Sequence, residues 1–402
     1  MATSHAITPP HRGQHLRRLR NEKMARSAHA YVRGNTLKFY EWLERAGDRR
    51  IPEGPPVWIC GDCHIGNLGP LADADGGINM QVRDLDQTVI GNPSHDLIRL
   101  GMSLATAARG SDLPGVTTAR MVEEMILGYE EALGHDDPEF AEHRPECITV
   151  TLRQAVDRTW KHLARERIED ERPTIPLGRK FWPLSSEERS EIERIFATEE
   201  TRRLVTGLRH RPDGASVEVV DAAYWVKGCS SLGRLRFAVL LGIGKKYREK
   251  GRYCLMDIKE AVQAAAPRYA AEGMPRDNAV RVVEGACSLS PALGERMMPE
   301  RFLGRGVFIR ELMPQDLKLE IDEISQDEAM KAARYLAMVV GKGHARQMRG
   351  DQRRAWNSEL KRNRGSNLDA PHWLWSSIVD LMATHEAAYL EHCRKYVLNP
   401  DG

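Results

Sequence analysis

The chain lacks the features that mark most specialised classes of protein. No apolar run approaches the ~20 residues that a bilayer span requires. The opening MATSHAITPPHRGQ carries no apolar core of the secretory type. The 7 cysteines are odd in number and scattered, so they make no disulfide framework. Only one C-x-x-C occurs, which leaves a structural zinc site without its second ligand pair. Net charge is also missing: 59 Lys+Arg against 57 Asp+Glu leave +2. That balance excludes a chain whose main work is to coat nucleic acid. The expectation is a cytoplasmic protein in a reducing compartment, with no membrane and no nucleic-acid partner. The sequence is silent on oligomeric state. At 402 residues a large core is affordable, with two or three domains as the starting expectation.

What is present centres on GDCHIGN, residues 61–67, and VRDLDQ, residues 82–87. Asp62, then Asn67, then Asp84 and Asp86 after a turn form a set of hard oxygen ligands suited to magnesium on phosphates. Phosphoryl transfer also needs a group that orients the acceptor hydroxyl, and Asp62 is the candidate. His64 lies inside the same loop and is read as a brace more than a proton carrier. In strand alternation Asp84 and Asp86 point to the same face, and two such carboxylates repel unless a cation or a proton intervenes. Cys60-Gly-Asp-Cys63-His64 also fits a haem-attachment or dithiol pattern, but haem attachment needs export, which nothing here signals.

Along the chain, residues 1–20 read as a disordered arm with a basic run, HRGQHLRRLR. Residues 20–48 read as helical with an interruption at Arg33-Gly34. PPVWIC (55–60) is a short strand ending in the site loop, and GGINMQVRDLD (76–86) is a second strand. Asp96 opens a helix, where its carboxylate suits the dipole and can brace a neighbouring loop. Helices are predicted at 117–133, 149–166 and 185–207. From about 210 the pattern changes to an antiparallel meander: 215–228, 234–244 and 253–261. A helix follows at 278–289, a strand leading into a Pro-containing connector at 305–316, and helices at 325–348 and 373–396. The expected organisation is therefore an arm (1–20), a catalytic-loop segment with a helical body (21–210), an antiparallel β unit with one helix (211–320), and helices completing the body (321–402).

The β unit carries the complementary half of a nucleotide site. In Gly228-Cys-Ser-Ser-Leu-Gly233 the glycines allow backbone N–H groups to approach phosphates, and Ser230 and Ser231 add donors. Lys259 sits in the apolar context LMDIK, where a semi-buried ammonium wants an anion. Glu284 on the next helix is its expected partner, the arrangement by which kinases hold the α- and β-phosphates. Arg33, His344 and Arg346 are further candidates for substrate or phosphate contacts.

The stretch GDCHIGN…VRDLDQTVIGNPSHDL resembles the catalytic segment of aminoglycoside and choline phosphotransferases, members of the protein-kinase-like fold. The resemblance covers about a tenth of the chain and implies Asp62 as catalytic base, Asn67 and Asp84 as magnesium ligands, and Asp96 as loop brace. Asp86 matches no invariant ligand of that family and is expected to join the metal site. The glycine loop, lysine and helix glutamate follow the catalytic loop here, whereas in kinases they precede it. The implied fold is α+β and two-lobed, protein-kinase-like but circularly permuted, with a mostly helical large lobe and a small antiparallel-sheet lobe. Most of the chain also resembles an uncharacterised bacterial family, domain of unknown function 2252, through MARSAHAYVRG, GDCHIGNLG, RDLD, GNPSHDLIRL, IKEA, RVVEG, FIREL and GKGHAR.

The expected function is transfer of a phosphoryl group from ATP·Mg²⁺ to a small-molecule hydroxyl or amine, with Asp62 as base. The alternatives are AMP transfer on the same fold, a non-catalytic nucleotide-binding regulator, and a metal-dependent phosphohydrolase using Asp62, His64, Asp84 and Asp86. The hydrolase reading leaves Lys259 and the glycine loop unexplained.

Overall fold

A computed structural model describes residues 7–398, apart from 8, 47–50, 111–112, 138–139, 141–142, 169–173, 209–210, 213, 230, 251, 268–272, 318, 320–324 and 363–369. Helices α1 (Pro9–Met24), α2 (Ala28–Gly34) and α3 (Thr36–Ala46) open it. Strands β1 (Val57–Ile59), β2 (Leu68–Ala72), β3 (Ile78–Val82) and β4 (Val89–Gly91) frame the site loops. They make two small antiparallel pairs, β1 with β4 and β2 with β3. Helices α4 (Ser94–Gly110), α5 (Gly115–Gly134), α6 (Glu146–Val156) and α7 (Trp160–Ile168) follow. Then come β5 (Phe181–Trp182), α8 (Ser186–Phe196), α9 (Glu199–Thr206), β6 (Val217–Trp225), β7 (Arg236–Ile243), the one-turn α10 (Tyr247–Lys250) and β8 (Tyr253–Glu260). The chain continues through α11 (Asn278–Leu289), α12 (Pro291–Gly294), β9 (Met297–Phe302), β10 (Arg305–Leu312), α13 (Gln326–Ala345), α14 (Gly350–Arg362) and α15 (His372–Cys393).

The fold is α+β, built on a six-stranded antiparallel sheet of order β5-β6-β7-β8-β10-β9. The expected meander is its centre. Two-residue alternation along β8 sends Cys254, Met256 and Ile258 to the face covered by α8 and α9, while Leu255, Asp257 and Lys259 take the opposite face. On the neighbouring β10, Phe308 and Arg310 stand opposite Lys259 and Asp257. A separate and larger apolar core joins α3, α4, α5, α13 and α15 with β1–β4. No helix among the described residues is long and apolar enough to cross a membrane.

Three local expectations are corrected. The arm is not disordered from Pro9 onward: it forms α1, with Leu16 in the core beside Trp182 and Phe237. Its Arg12 is buried, ion-paired to Glu188 at 2.6 Å, with its guanidinium 4.2 Å from the Tyr224 ring centroid. The basic run therefore contributes packing as well as charge. The helix expected at 149–166 breaks at Asp157 into α6 and α7. The one expected at 185–207 breaks because the Thr198 hydroxyl accepts the Thr201 N–H and starts α9 as a new N-cap. Strand β2 was not read from the sequence, since LGPLA is buried throughout and shows no alternation.

Candidate functional site

Gly61 lets the loop after β1 turn into the site. Its φ is +72°, and a Cβ there would lie 2.2 Å from the Gln87 carbonyl oxygen, so no other residue fits without moving the facing loop. Asp96, in the first turn of α4, accepts the Cys60 and Gly61 N–H groups at 2.7 and 3.0 Å, as expected for a bracing carboxylate. His344 is fully buried, with Nε2 3.2 Å from Asp96 and Nδ1 2.9 Å from the Tyr129 hydroxyl. Trp356 donates to that same hydroxyl. His344 therefore belongs to a buried brace and not to a substrate surface, which corrects its candidacy. Arg346 donates to the Leu289 carbonyl at the end of α11 and is not among the residues that line the cleft at Asp62.

Asp62 is buried, and Oδ1 accepts from Arg99 Nε at 3.0 Å and from a terminal nitrogen of the same guanidinium at 2.8 Å. Arg99 is fully buried in α4 and also donates to the Val32 carbonyl. The other carboxylate oxygen lies 3.9 Å from His64 Nε2, too far for a hydrogen bond. His64 Nδ1 has no partner among the described residues. Burial, and to a lesser extent Arg33 and Arg99, lower the His64 pKa to about 3 despite Asp62, so the ring is neutral near pH 7. Asn67 is buried and donates to the Asp62 carbonyl at 3.0 Å, closing the loop on itself.

Lys259 is 1% exposed and lies 3.3 Å from Asp84, with a still closer contact to Asp86. Its expected partner is wrong. Glu284 lies on the exposed face of α11, while Arg281, Val282, Gly285 and Ala286 take the buried one. Gly285 packs so tightly on Thr88 that the helix approaches the loop with this face only. Asp86 takes the place intended for Glu284. It does so from a turn just beyond β3, which ends at Val82, so strand alternation does not govern the pair. Burial, then the Asp84 charge, push the Asp86 carboxyl up to about 6. Burial also pushes Asp84 up, but Lys259, the bond with Asp86, Arg310 and Arg236 outweigh it and hold Asp84 well below the usual carboxylate range. The ionised oxygen set faces the cleft through Asp84, whose side chain is 40% exposed.

These residues open on a cleft of about 440 Å³ lined by Asp62, His64, Asn67, Asp84, Asp86 and Gln87 from one segment, and by Gly228, Cys229 and Ser231 from another. Of the expected glycine loop, Gly228 has φ +83°. Ser231 is buried and its hydroxyl donates to the Lys227 carbonyl. Gly233, φ +96°, is exposed and not part of the cleft wall. Ser230 lies outside the described residues. Arg33 lines the cleft, its guanidinium carbon 3.0 Å from where a Gly66 Cβ would stand.

Among the described residues no three His, Cys, Asp or Glu side chains converge as a ready metal cage. The donor chemistry still suits magnesium, which takes few protein carboxylates and keeps waters and phosphates as its other ligands. Asp84, Asp86 and Asn67 would hold it, and Asp86 Oδ1 is a buried acceptor with no hydrogen-bond partner. Cys60 and Cys63 are free, buried thiols. The mutual hydrogen bond and burial hold Cys63 well above the usual thiol range, which disfavours the thiolate that redox or metal chemistry needs.

Four side chains that line or brace the candidate site escaped the sequence reading. Arg281 of α11 donates to the Asp86, Thr88 and Val262 carbonyls, fixing the loop that carries Asp86. Arg99 fixes Asp62. Lys23 and Arg26, at the end of α1 and just after it, line the cleft. A charged residue inside the apolar stretches DLIRLGMSL and NAVRVVEGA was the available signal for the first two.

Fold and site together define an α+β protein with an acidic loop pair facing a sheet lysine. Residues 12–395 match the family described as an uncharacterized protein conserved in bacteria, DUF2252, and the chain belongs to that family. No curated protein and no solved structure matches it.

Proposed function

We propose that this chain is an ATP- and Mg²⁺-dependent phosphotransferase on a protein-kinase-like scaffold in circularly permuted order, acting on a small-molecule hydroxyl or amine. The observation that carries the reading is the approach of Lys259 to Asp84 across 175 residues of sequence, at the base of a cleft shared by the Asp62 loop and the glycine loop. Asp62, clamped at one oxygen by Arg99, would orient the acceptor and take its proton at the other. Lys259 would hold the α- and β-phosphates while Gly228 and Cys229 cover them. Bound to Asp84, Asn67 and Asp86, Mg²⁺ would neutralise charge on the transferring phosphoryl group. The hydrolase reading is less well supported, because the Lys259 ammonium stands where a second metal would share Asp84 and Asp86. Transfer of AMP would use the same residues, and the identity of the modified product separates the two reactions.

The test is calorimetric titration of ATP with and without Mg²⁺ on wild type, Asp84→Asn and Lys259→Ala. Magnesium-dependent binding, weakened at least about tenfold by each substitution, is expected. No binding at millimolar ATP would overturn the reading.

A further inference from the structure

The cleft is not acidic throughout. Facing the carboxylates is a wall supplied by the end of α1, the turn after it and α2: Lys23, Arg26 and Arg33. Arg26 and Arg33 make no salt bridge among the described residues, and the Lys23 ammonium donates only to the Gly228 carbonyl, at 3.0 Å. On the other side of Gly228 a second cleft of about 340 Å³ shares Lys23 and Gly228 and adds Lys227 and Arg167. Lys227 also has no carboxylate partner among the described residues; its ammonium lies 3.9 Å from the Trp225 ring centroid. Burial, Arg236 and Arg167 push its pKa well below the usual lysine range. Four other cations near the cleft are ion-paired: Arg99 has Asp62, Arg236 and Arg310 share Asp257, and Lys259 has Asp84 and Asp86. Of the cations grouped around Gly228, Arg167 is paired with Glu166 at 3.1 Å, while Lys23, Arg26, Arg33 and Lys227 have no carboxylate partner among the described residues, and charge of one sign gathered in a cleft calls for a ligand of the other.

Position separates Arg33 from the nucleotide's phosphates, whereas Lys23 stands at Gly228, beside the loop that would cover them. Lys259 and the carboxylates mark where the phosphates lie in the reading above. Arg33 packs instead against Gly66, inside the catalytic loop between Asp62 and Asn67. Arg33 and Asp62 line the same cleft, so a molecule that presents a hydroxyl to Asp62 shares that space with this guanidinium.

We infer that the acceptor is a phosphate-bearing small molecule, its phosphate held by Arg33 and Lys23 with Arg26 at the rim. The inference rests on the phosphotransferase reading for the word acceptor, but the anion site itself does not. Several cations around one position suit a dianion better than a single carboxylate.

The test is calorimetric titration of inorganic phosphate, and separately of acetate, at constant ionic strength. It uses protein loaded with Mg²⁺ and a non-hydrolysable ATP analogue. Phosphate should bind more tightly than acetate. Arg33→Ala should weaken phosphate about tenfold or more while changing nucleotide affinity less than about threefold, with Arg33→Lys intermediate. Circular dichroism melting confirms that each variant is folded. Equal phosphate affinity in wild type and Arg33→Ala would overturn the inference. So would acetate binding as tightly as phosphate, or a loss of nucleotide affinity in Arg33→Ala as large as in Asp84→Asn. If the nucleotide does not bind, the same titration on the free protein decides. Arg33-dependent phosphate binding would then keep the anion site while the phosphotransferase reading falls, and its absence would remove both.

Discussion

In the proposed reaction Asp62 has two tasks, and they can be measured apart. As a base it needs a free oxygen facing the acceptor. As the counter-ion of fully buried Arg99 it needs the other oxygen locked. Asp62→Asn keeps an acceptor for Arg99 and removes the base, so steady-state turnover should fall by about 10²–10⁴ with nucleotide affinity retained. Asp62→Ala strands a guanidinium in the core, and urea denaturation should show a loss of about 3–5 kcal/mol. A loss below about 1 kcal/mol would mean that the Val32 carbonyl and solvent suffice for Arg99. That Asp62, Asn67, Asp84 and Asp86 gather on one cleft was legible from the residues alone, because they form a dense run of oxygen donors within one short segment. Arg99 was not. Its partner is 37 positions away, and no short-range pattern encodes an ion pair between a loop and the buried side of a helix.

Helix α11 shows at the next scale what periodicity reveals and what it hides. Its bounds match the expected 278–289 because Asp277 caps it, accepting from the Ala279 and Val280 N–H groups, and an apolar face runs along it. The meander strands and α13 were legible for the same reason. Which side chain of α11 reaches the site was not, because that depends on rotation about the helix axis, which the close packing of Gly285 on Thr88 decides. Glu284 faces out and Arg281 faces in. Arg281→Ala should therefore cost about 3 kcal/mol by leaving buried carbonyls without a donor. Glu284→Ala should cost no more than about 0.5 kcal/mol. Nucleotide binding should follow the same order, since Arg281 holds the turn that carries Asp86. A Glu284→Ala variant as impaired as Lys259→Ala would restore the lysine–glutamate pairing.

Across the molecule, buried polar groups without a hydrogen-bond partner among the described residues lie in more than one place, among them His64 in the site loop and His385 in α15. Their burial has a consequence for acid stability. His64 and His385 are 3% and 2% exposed, and burial lowers both pKa values to about 3. Neither nitrogen of His385 has a hydrogen-bond partner among the described residues, and His95, lowered to about 4, acts in the same direction. An unfolded histidine takes up its proton near pH 6.5, whereas these stay neutral while folded. Their contribution is therefore fully present above about pH 6.5 and is lost as pH falls towards the folded values, by about 2 kcal/mol for each fully buried ring at pH 5. Asp86 opposes this: its raised pKa means that its protonation favours the folded state as pH falls through about 6, an offset of about 1 kcal/mol between pH 7 and 5. Asp84, shifted the other way, titrates below this window. The histidines outnumber the aspartate, so urea midpoints should drop between pH 7 and pH 5. His385→Phe keeps the ring and removes the proton site, and it should recover about 2 kcal/mol of that drop. His385 lies away from the Asp62 cleft, beside Val32, Met102 and Met382, so ATP binding at pH 7 should be unchanged in the same variant. A drop as steep in His385→Phe as in wild type would show that His385 is already protonated, or solvated, in the folded protein.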